Sequence, residues 1–266
     1  MRLVTWNMDH WRRSADQRTD AWAYLETTLA PDVALVQEAV PPSHLQSVFR
    51  AGGIDDRRGA PTNRGWGSAV VSFGPAITAV ETATEPYRKK VVPVLRTFPG
   101  SVAIAEVKID NDSIIVISMY GVIDRGYANA TVHRMLSDLE PLVDQRRGEK
   151  ILIAGDLNVT TQWSEHHRKS LRGRHAELLR REQNLFERFA VLGFRNLVVG
   201  SAPLEGCACS FGESCRHVRT QRHESSDFPW MNDYVFATED LHASIQVIDD
   251  DNSRRLSSHF PVVVQL

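Results

Sequence analysis

The segment Ile151-Leu-Ile-Ala-Gly-Asp-Leu-Asn158 is an apolar run that ends in an acid and an amide. A strand that is buried on both faces has such a continuous apolar run rather than an alternating pattern. If the chain is still extended there, Asp156 and Asn158 project to the same side, because they are two residues apart. A carboxylate can accept a proton from water, and an amide can donate to an anionic oxygen. An Asp/Asn turn after a strand explains the same residues, so both interpretations stay open.

Five further apolar runs start or stop at polar residues. They cover residues 3–7, 33–38, 114–120, 233–236 and 257–264. The polar residues concerned are Asn7, Glu38, Tyr120, Asp233 and His259. Because buried strands often end at a common edge, these repeated polar stops indicate one shared rim.

The polar residues at these stops have the chemistry of a metal-assisted phosphodiesterase. A carboxylate such as Glu38 is an oxygen ligand that Mg²⁺ prefers, with water and substrate phosphate at its other positions. His259 can act as a cation toward a phosphate, or as a general acid, if Asp233 orients its other ring nitrogen. Taken singly, Asn7 could cap a turn and Tyr120 could be a half-buried aromatic residue. The order and combination of these residues, rather than any one of them, carries the hypothesis.

Length and composition predict a single domain over residues 1–266. No Pro/Gly/Ser-rich linker, low-complexity tract or internal repeat divides the sequence. The formal net charge of −2 argues against binding nucleic acid through bulk charge, so any such contact must be local. The sequence has neither a signal-peptide pattern nor an apolar run of membrane-spanning length, which predicts a cytoplasmic protein without membrane insertion. It allows no inference about a protein partner.

Residue spacing also predicts the helices and their packing. Helical spacing of apolar residues indicates helices over residues 20–30, 43–50, 131–143 and 174–192. Strand patterns cover 65–72 and 102–109, and the second alternates, so it is expected to be half exposed. Helices and strands interleave without strict βαβ regularity. This favours packed sheets with helices outside over a doubly wound sheet.

In their order along the chain, the motifs resemble those of the endonuclease/exonuclease/phosphatase superfamily, which is DNase I-like in fold. The resemblance spans nearly the whole chain, and Gly-Asp156-Leu-Asn158 looks like the most specific motif of that superfamily. The other matching segments are Thr-Trp-Asn7, Gln-Glu38, Ser-Met-Tyr120, Asn-Asp233-Tyr234 and Ser-Ser258-His259. The resemblance implies an α/β fold, a four-layer sandwich of two packed mixed β-sheets flanked by helices. The site would lie at one end of the sheets.

The resemblance also implies a role for each matching residue. The implied metal ligands and catalytic residues are Glu38, Asn7, Asp156, His259, Asp233, Asn158 and Tyr120. Glu38 would bind Mg²⁺ or Mn²⁺ with Asn7 beside it, and Asp156 would align or deprotonate the attacking water. His259, oriented by Asp233, would stabilise the transition state, while the remaining two residues would hold the phosphate. The implied activity is that of a Mg²⁺-dependent phosphoesterase, with a nuclease acting on DNA or RNA as the leading hypothesis.

Ser258 departs from the family pattern, which has an Asp before the terminal histidine. That Asp commonly supports a metal, so its loss lowers the local negative charge. One alternative is therefore a catalytically impaired binding module. Another is a phosphatase or phosphodiesterase that acts on small or lipid phosphates, which the near-neutral net charge suits. Because Glu38, Asp156 and Asp233 are all retained, an active enzyme is favoured.

Two basic stretches carry candidate substrate-binding residues. Arg172 and Arg174 belong to one cluster, and Arg219, Arg222 and Trp230 belong to the other. Arginines can bind phosphates, and a tryptophan can stack on a base. Solvated surfaces, and a tryptophan that packs into the core, explain the same residues.

Three cysteines and a histidine lie close together in the sequence, as Cys207, Cys209, Cys215 and His217. An odd number of cysteines is not the pattern of a disulfide-stapled secreted domain, so a reducing compartment is indicated. Three thiolates and an imidazole suffice for a tetrahedral structural Zn²⁺, although the spacing is not a standard finger pattern. A loop with ordinary cysteines and a redox-reactive thiol are the alternatives.

Overall fold

The fold consists of two mixed β-sheets that pack face to face between helices. The computed structural model describes residues 1–51, 65–85, 87–109, 112–162, 172–199, 201, 207, 215–223 and 226–266. The strands are β1 (Arg2–Asn7), β2 (Val33–Ala39), β3 (Gln46–Ala51), β4 (Gly67–Ser72), β5 (Ile77–Ala79), β6 (Thr82–Thr84), β7 (Val91–Pro93), β8 (Val102–Ile109), β9 (Asp112–Met119), β10 (Ile151–Asp156), β11 (Phe194–Asn196), β12 (Gln221–His223), β13 (Ser226–Trp230), β14 (Asp233–Thr238), β15 (Ser244–Val247) and β16 (Val262–Gln265). The helices are α1 (Ala15–Tyr24), α2 (Asn129–Gln145), α3 (Arg174–Val191) and α4 (Asp251–Leu256).

Each sheet contains one parallel strand pair. The first sheet has the order β15-β16-β1-β2-β4-β3, and the second has the order β11-β14-β10-β9-β8-β5. The parallel pairs are β1 with β2 and β10 with β9, and the other neighbouring pairs of the two sheets are antiparallel. The first and last strands, β1 and β16, are therefore neighbours in the middle of the first sheet. The hairpins β6–β7 and β12–β13 lie outside both sheets.

Two apolar clusters hold the layers together. The larger cluster fills the space between the sheets and continues to α2 and α3, for example through Leu35, Ile117, Leu136 and Phe189. The smaller cluster joins the outer face of the first sheet to α1 and α4. The order of layers is thus helices, sheet, sheet, helices, which confirms the expected four-layer α/β sandwich.

Helix ends follow the local sequence. Ser14 and Gln17 form a capping box at the start of α1, so two backbone N–H groups are satisfied reciprocally. A single π-helical turn, Leu25–Leu29, follows α1 and ends at Ala30, whose φ of 44° lies in the left-handed region. The predicted helices over 131–143 and 174–192 correspond to α2 and α3.

Two local predictions were wrong. Residues 43–50 do not form a helix, because Gln46–Ala51 pairs with β4 as the edge strand β3 of the first sheet. That pairing outweighs a helical spacing only eight residues long, since local propensity is a weak preference. Strand β8 is mostly buried rather than half exposed, because it contacts strands of the opposite sheet as well as its own neighbours.

In the described part of the chain, no helix is both long and apolar enough to span a membrane.

Candidate active site

The polar residues that the sequence placed at strand ends lie at one end of the two sheets. Asn7 ends β1, Asp156 ends β10 and Asp233 begins β14, while Glu38, Tyr120 and His259 lie at or beside the ends of β2, β9 and β16. Parallel neighbours end at the same edge, and an antiparallel neighbour begins there. In the register of the second sheet, Asp156 is directly opposite Asp233.

A hydrogen-bonded network connects the two sheets at this rim. Asn7 donates from Nδ2 to Oδ2 of Asp156 at 2.8 Å. Nε2 of His259 lies 3.7 Å from the same Asp156 oxygen, and its Nδ1 lies 2.9 Å from Oδ2 of Asp233. Because a carboxylate only accepts, Nδ1 is the donor to Asp233. All four side chains are buried, so their mutual interactions are weakly screened by solvent.

The two carboxylates favour a positively charged His259. Burial alone would lower the pKa of this imidazole, but the negative charges of Asp233 and then Asp156 outweigh burial and raise the pKa. The backbone of His259 is held as well, because Ser257 Oγ accepts from the His259 backbone N–H at 3.0 Å and donates to the carbonyl of Asn7 at 2.7 Å. The site can therefore hold a fixed cation beside Asp156.

Asp156 is held by two donors, one on each carboxylate oxygen. Oδ2 accepts from Asn7, and Oδ1 accepts from the backbone N–H of Asn158 at 2.8 Å. Burial raises the pKa of Asp156, and the charge of His259 opposes this rise without cancelling it. A buried carboxylate with a raised pKa is suited to accepting a proton near neutral pH.

Both interpretations of Asp156 and Asn158, a turn after a strand and a pair of polar groups at the rim, are correct in part. The chain turns after Asp156, and Asn158 has a left-handed φ of 50°, as expected for an Asp/Asn turn. The Asn158 amide donates to the carbonyl of Gly121 at 3.0 Å rather than lying parallel to the Asp156 side chain. Asn158 thus lies at the rim, but through a turn instead of continued extension.

Gly155 has a steric reason to precede Asp156. Its φ is 147°, and a Cβ at this position would lie 2.0 Å from the carbonyl oxygen of Met119 and 2.8 Å from Nε2 of Gln37. Gln37 reaches across from the first sheet and donates to Ser118 on β9 at 2.9 Å. Glycine therefore permits the close approach of the two sheets next to the hydrogen-bonded network.

Glu38 and Asp9 form a second acidic group at the rim. Glu38 is 5% exposed and Asp9 is 3% exposed. Burial raises the pKa of Glu38, hydrogen bonds from Tyr120 and Asn7 oppose this rise, and the charge of Asp9 adds to it. Both acids have left-handed φ angles, 50° and 51°. Residues other than glycine rarely adopt this backbone conformation, and such residues cluster at functional sites.

Sequence reasoning missed Asp9. It lies two residues after Asn7, and its backbone N–H donates to Oδ1 of Asn7 at 2.9 Å. The hydroxyl of Ser258 donates to Oδ2 of Asp9 at 3.3 Å, and Arg13 pairs with the same oxygen at 2.8 Å. A carboxylate thus lies beside the position where Ser258 replaces the expected Asp. The same two-residue spacing as Asp156 and Asn158 is the signal that could have identified it.

At the rim, two groups of residues have the donor chemistry of a metal site. Asp156, Asp233 and His259 offer ligand atoms within 4.8 Å of one another, but a protonated imidazole has no lone pair for a metal. Glu38 and Asp9 are buried oxygen donors whose charges disfavour each other, and a divalent cation would relieve that repulsion. The donor set of Glu38, Asp9 and the nearby Asn7 therefore fits an oxygen-preferring cation such as Mg²⁺.

Thr220 and Gln221 were also not predicted from the sequence. The Gln221 amide lies 3.0 Å from Nε2 of His259, and Gln221 accepts from Asn232 Nδ2 at 2.6 Å. The hydroxyl of Thr220, which is fully buried, accepts from the backbone N–H groups of Asn232 and Asp233, each at 3.1 Å. Thr220 therefore fixes the start of β14, and with it Asp233.

Replacing Thr220 by Val is expected to destabilise the protein by roughly 2–4 kcal/mol, because two buried N–H groups lose their acceptor. Urea denaturation measures this effect. The matched control is Thr220→Ser, which keeps the hydroxyl and is expected to cost about 1 kcal/mol for the lost methyl group. If both variants lost the same stability, packing of the methyl group rather than the hydroxyl would explain the role of Thr220.

The predicted substrate-binding residues have different environments. Arg219 is paired with Asp249 at 2.6 Å, so its charge is already compensated. Arg222 and Arg172 are exposed, and Arg174 begins α3, but its side chain lies outside the described residues. Trp230 is half-buried and packs edge-on against Phe228, with ring centroids 4.9 Å apart.

A cavity of about 220 Å³ adjoins the rim. Its lining includes Asn158, Asn129, Trp230 and Asn232, so it connects the rim to an aromatic surface. A larger cavity of about 580 Å³ lies between α3 and the segment that begins at Arg216, and none of the rim carboxylates lines it.

A four-layer α/β sandwich with an Asp–His pair and buried acids at one end of the sheets defines the DNase I-like class. The chain belongs to the Endonuclease/Exonuclease/phosphatase family, whose model matches residues 4–256. This confirms the resemblance found in the sequence, and it assigns the chain to the phosphoester hydrolases, with a nuclease or phosphodiesterase activity.

Solved structures support the same fold. The catalytic domain of Xenopus laevis APE2 is similar with a TM-score of 0.63 and 13% identity, over 99% of this chain and 91% of that chain. The endonuclease domain of TRAS1, a telomere-specific non-LTR retrotransposon, has a TM-score of 0.59 and 14% identity, over 100% and 97%. D. rerio TDP2 complexed with a single-strand DNA product has a TM-score of 0.56 and 13% identity, over 99% and 97%. None of the curated proteins matches the chain significantly in sequence.

Proposed function

We propose that the protein is a divalent-metal-dependent phosphodiesterase that hydrolyses nucleic acid by direct attack of water. The observation that carries this proposal is the network in which Asn7, Asp156, His259 and Asp233 meet at one buried point between the two sheets. Such a network combines a group that accepts a proton with a fixed cation, which is what hydrolysis of a phosphodiester requires.

Glu38 and Asp9, with Asn7 beside them, are the residues that would hold the metal ion. A bound Mg²⁺ or Mn²⁺ would supply Lewis-acid stabilisation of charge on the phosphate oxygens. Tyr120 and Asn7 donate hydrogen bonds to Glu38. These bonds would keep the Glu38 side chain oriented while the metal ion compensates its charge. Arg13 pairs with Asp9, which lowers the net negative charge at the site.

Asp156 would act on the attacking water. Its two oxygens are fixed by Asn7 and by the Asn158 N–H, which leaves the remaining lone pairs to orient a water molecule. Burial raises the pKa of this carboxyl group, which makes it a better proton acceptor than an ordinary aspartate. His259 would present its positive charge to the phosphate, where charge increases in the transition state.

Nucleic acid is the proposed substrate because an aromatic surface lies next to the phosphate site. Trp230 and Asn158 line the same cavity, so a nucleotide whose phosphate reaches the rim would place its base or sugar near the indole ring. Arg222 and Arg172 are exposed cations that can contact neighbouring phosphates. The similarity to D. rerio TDP2, which is described with a single-strand DNA product, supports the same substrate class.

The experiment that tests the proposal is a gel assay on plasmid, labelled single strands and an abasic duplex, each with Mg²⁺ and with chelator. Chelator-sensitive cleavage is the expected result. The Asp156→Asn variant, purified in parallel, controls for a contaminating nuclease. Hydrolysis of small phosphodiesters without cleavage of any nucleic acid would overturn the substrate, and no hydrolysis of either would overturn the activity.

Replacing Asp9 by Asn is expected to raise the Mg²⁺ concentration for half-maximal activity by roughly 10–100-fold, because one buried anionic ligand is lost. At saturating Mg²⁺, the kcat should stay within a few-fold of the wild-type value. A Mg²⁺ titration of the initial rate measures both quantities. Asp16→Asn, which neutralises an exposed acid in the first turn of α1, is the control. An unchanged Mg²⁺ requirement in Asp9→Asn would remove Asp9 from the metal site.

Replacing Ser258 by Asp is expected to change kcat by less than about 10-fold, since Asp9 already supplies a carboxylate beside Ser258. Steady-state kinetics at saturating Mg²⁺ measure the change, with Ser258→Asn as the neutral control of similar size. A much larger gain in Ser258→Asp alone would mean that the wild-type site is catalytically impaired.

A further inference from the structure

Two cysteines and a histidine converge where the chain enters the segment 215–223, outside the catalytic network. We propose that Cys207, Cys215 and His217 bind a structural zinc ion that anchors this segment. The assignment of the ion does not depend on the proposed function. Cys209, the fourth candidate ligand in the sequence, lies outside the described residues and is not part of the proposal.

The spacing of the ligand atoms fits zinc. Sγ of Cys207 lies 3.5 Å from Nδ1 of His217, and one ligand atom from each of the three residues lies within 4.8 Å of the others. Tetrahedral zinc, with bonds of about 2.3 Å to sulfur and 2.0 Å to nitrogen, places its ligand atoms roughly 3.5–3.8 Å apart. Small side-chain movements therefore suffice to close the site around an ion.

A backbone donor faces Cys215, and the imidazole of His217 is buried. The backbone N–H of His217 donates to Sγ of Cys215 at 3.4 Å, and such a bond stabilises the charged sulfur that a metal requires. His217 is only 4% exposed, so its ring is held in place by the protein rather than by solvent. Two sulfurs and one imidazole are soft and borderline donors, which select Zn²⁺ over Mg²⁺. The cluster is thus chemically distinct from the oxygen donors Glu38 and Asp9.

The anchored segment continues directly into the active site. Val218 follows His217, and both of its backbone groups bond to the side chain of Gln162, at 2.8 and 2.9 Å. Thr220 and Gln221 follow after Arg219. Thr220 accepts from N–H groups at the start of β14, and Gln221 lies 3.0 Å from the His259 ring. An ion at Cys207, Cys215 and His217 would therefore fix the beginning of the segment that positions Asp233 and His259.

The test is the metal content and cobalt spectrum of the purified full chain under reducing conditions. We expect about one equivalent of zinc per chain, measured by mass spectrometry of the metal. Replacing zinc by Co²⁺ should give absorption bands of a tetrahedral site together with thiolate-to-cobalt charge transfer. Wild-type protein suffices for both measurements, so neither depends on a variant that folds poorly.

Variants assign the ion to its ligands. Cys207→Ser, Cys215→Ser and His217→Asn should each lower the retained zinc at least tenfold after dialysis against a mild chelator. His223→Asn, which alters an exposed histidine on the same segment, should retain zinc. Glu38→Gln should also retain zinc, since it alters only the proposed Mg²⁺ site.

Three results would overturn the proposal. They are wild-type protein without zinc and without a thiolate-to-cobalt band, loss of zinc in Glu38→Gln equal to that in Cys215→Ser, and a Cys207–Cys215 disulfide that persists in reducing buffer. None of them bears on nuclease activity, so failure of the zinc assignment is distinguishable from failure of the proposed function.

Discussion

Replacing Asp156 by Asn is expected to lower kcat for phosphodiester cleavage roughly 10³-fold, because the carboxylate that we propose acts on water is lost. The hydrogen bonds make this substitution more severe than a simple loss of charge. Both oxygens of Asp156 accept N–H groups, from Asn7 and from the Asn158 backbone. An asparagine has one oxygen, so one of these donors must face an NH₂ group. We expect a stability loss of about 1–3 kcal/mol in addition to the loss of activity.

Single-turnover cleavage at saturating Mg²⁺ measures the effect of Asp156→Asn on the chemical step. The control is Asp138→Asn on α2, where a carboxylate also accepts backbone N–H groups, those of Arg96 and Thr97, at 3.0 and 2.8 Å. That variant should lose stability but keep its kcat. A near-normal kcat in Asp156→Asn would exclude Asp156 as the residue that acts on the attacking water.

Replacing His259 by Gln is expected to lower kcat by about 10²–10⁴-fold, because the cation that we propose acts on the phosphate disappears. A second effect follows from the same geometry. The charge of His259 is what opposes the rise in the pKa of Asp156, so its removal raises that pKa further. The Asp156 carboxylate would then lack its countercharge and take up a proton more readily. The variant therefore loses the cation and weakens the base.

A double-mutant cycle tests this coupling. If Asp156 and His259 act as one unit, the Asp156→Asn/His259→Gln variant should be little worse than the poorer single variant, as is common for residues that act together. His133→Gln, a half-buried histidine on α2, serves as the control and should leave kcat unchanged. Additive losses in the double variant would mean that the two residues act independently.

The sequence predicted best the position of those candidate site residues that lie at the end of a strand. Asn7, Asp156 and Asp233 follow or precede continuous apolar runs, so the strand pattern alone places them at an edge. Residues whose role depends on distant contacts could not be found this way. Asp9 lies at the rim beside residues that are distant in the chain, among them Ser258, 249 positions away. Thr220 and Gln221 belong to a short hairpin whose pairing has no clear apolar pattern.

The wrong predictions for β3 and β8 have one physical origin. The edge strand β3 was taken for a helix because its eight-residue spacing fits both structures, and pairing with β4 decided between them. In the same way, an alternating pattern suggested one exposed face for β8, which the neighbouring layer covers. The local sequence of a segment does not determine which of its surfaces the rest of the chain will cover.

The adjacency of β1 and β16 makes the network depend on one strand pair between distant parts of the chain. Asn7 ends β1, whereas His259 comes after every strand except β16. Pairing of β16 with β1 places His259 beside Asp156 and Asp233, so the same pairing that adds β16 to the first sheet also brings an imidazole to two close buried acids. A fragment that ends before His259 would therefore contain both acids without the side chain that lies between them.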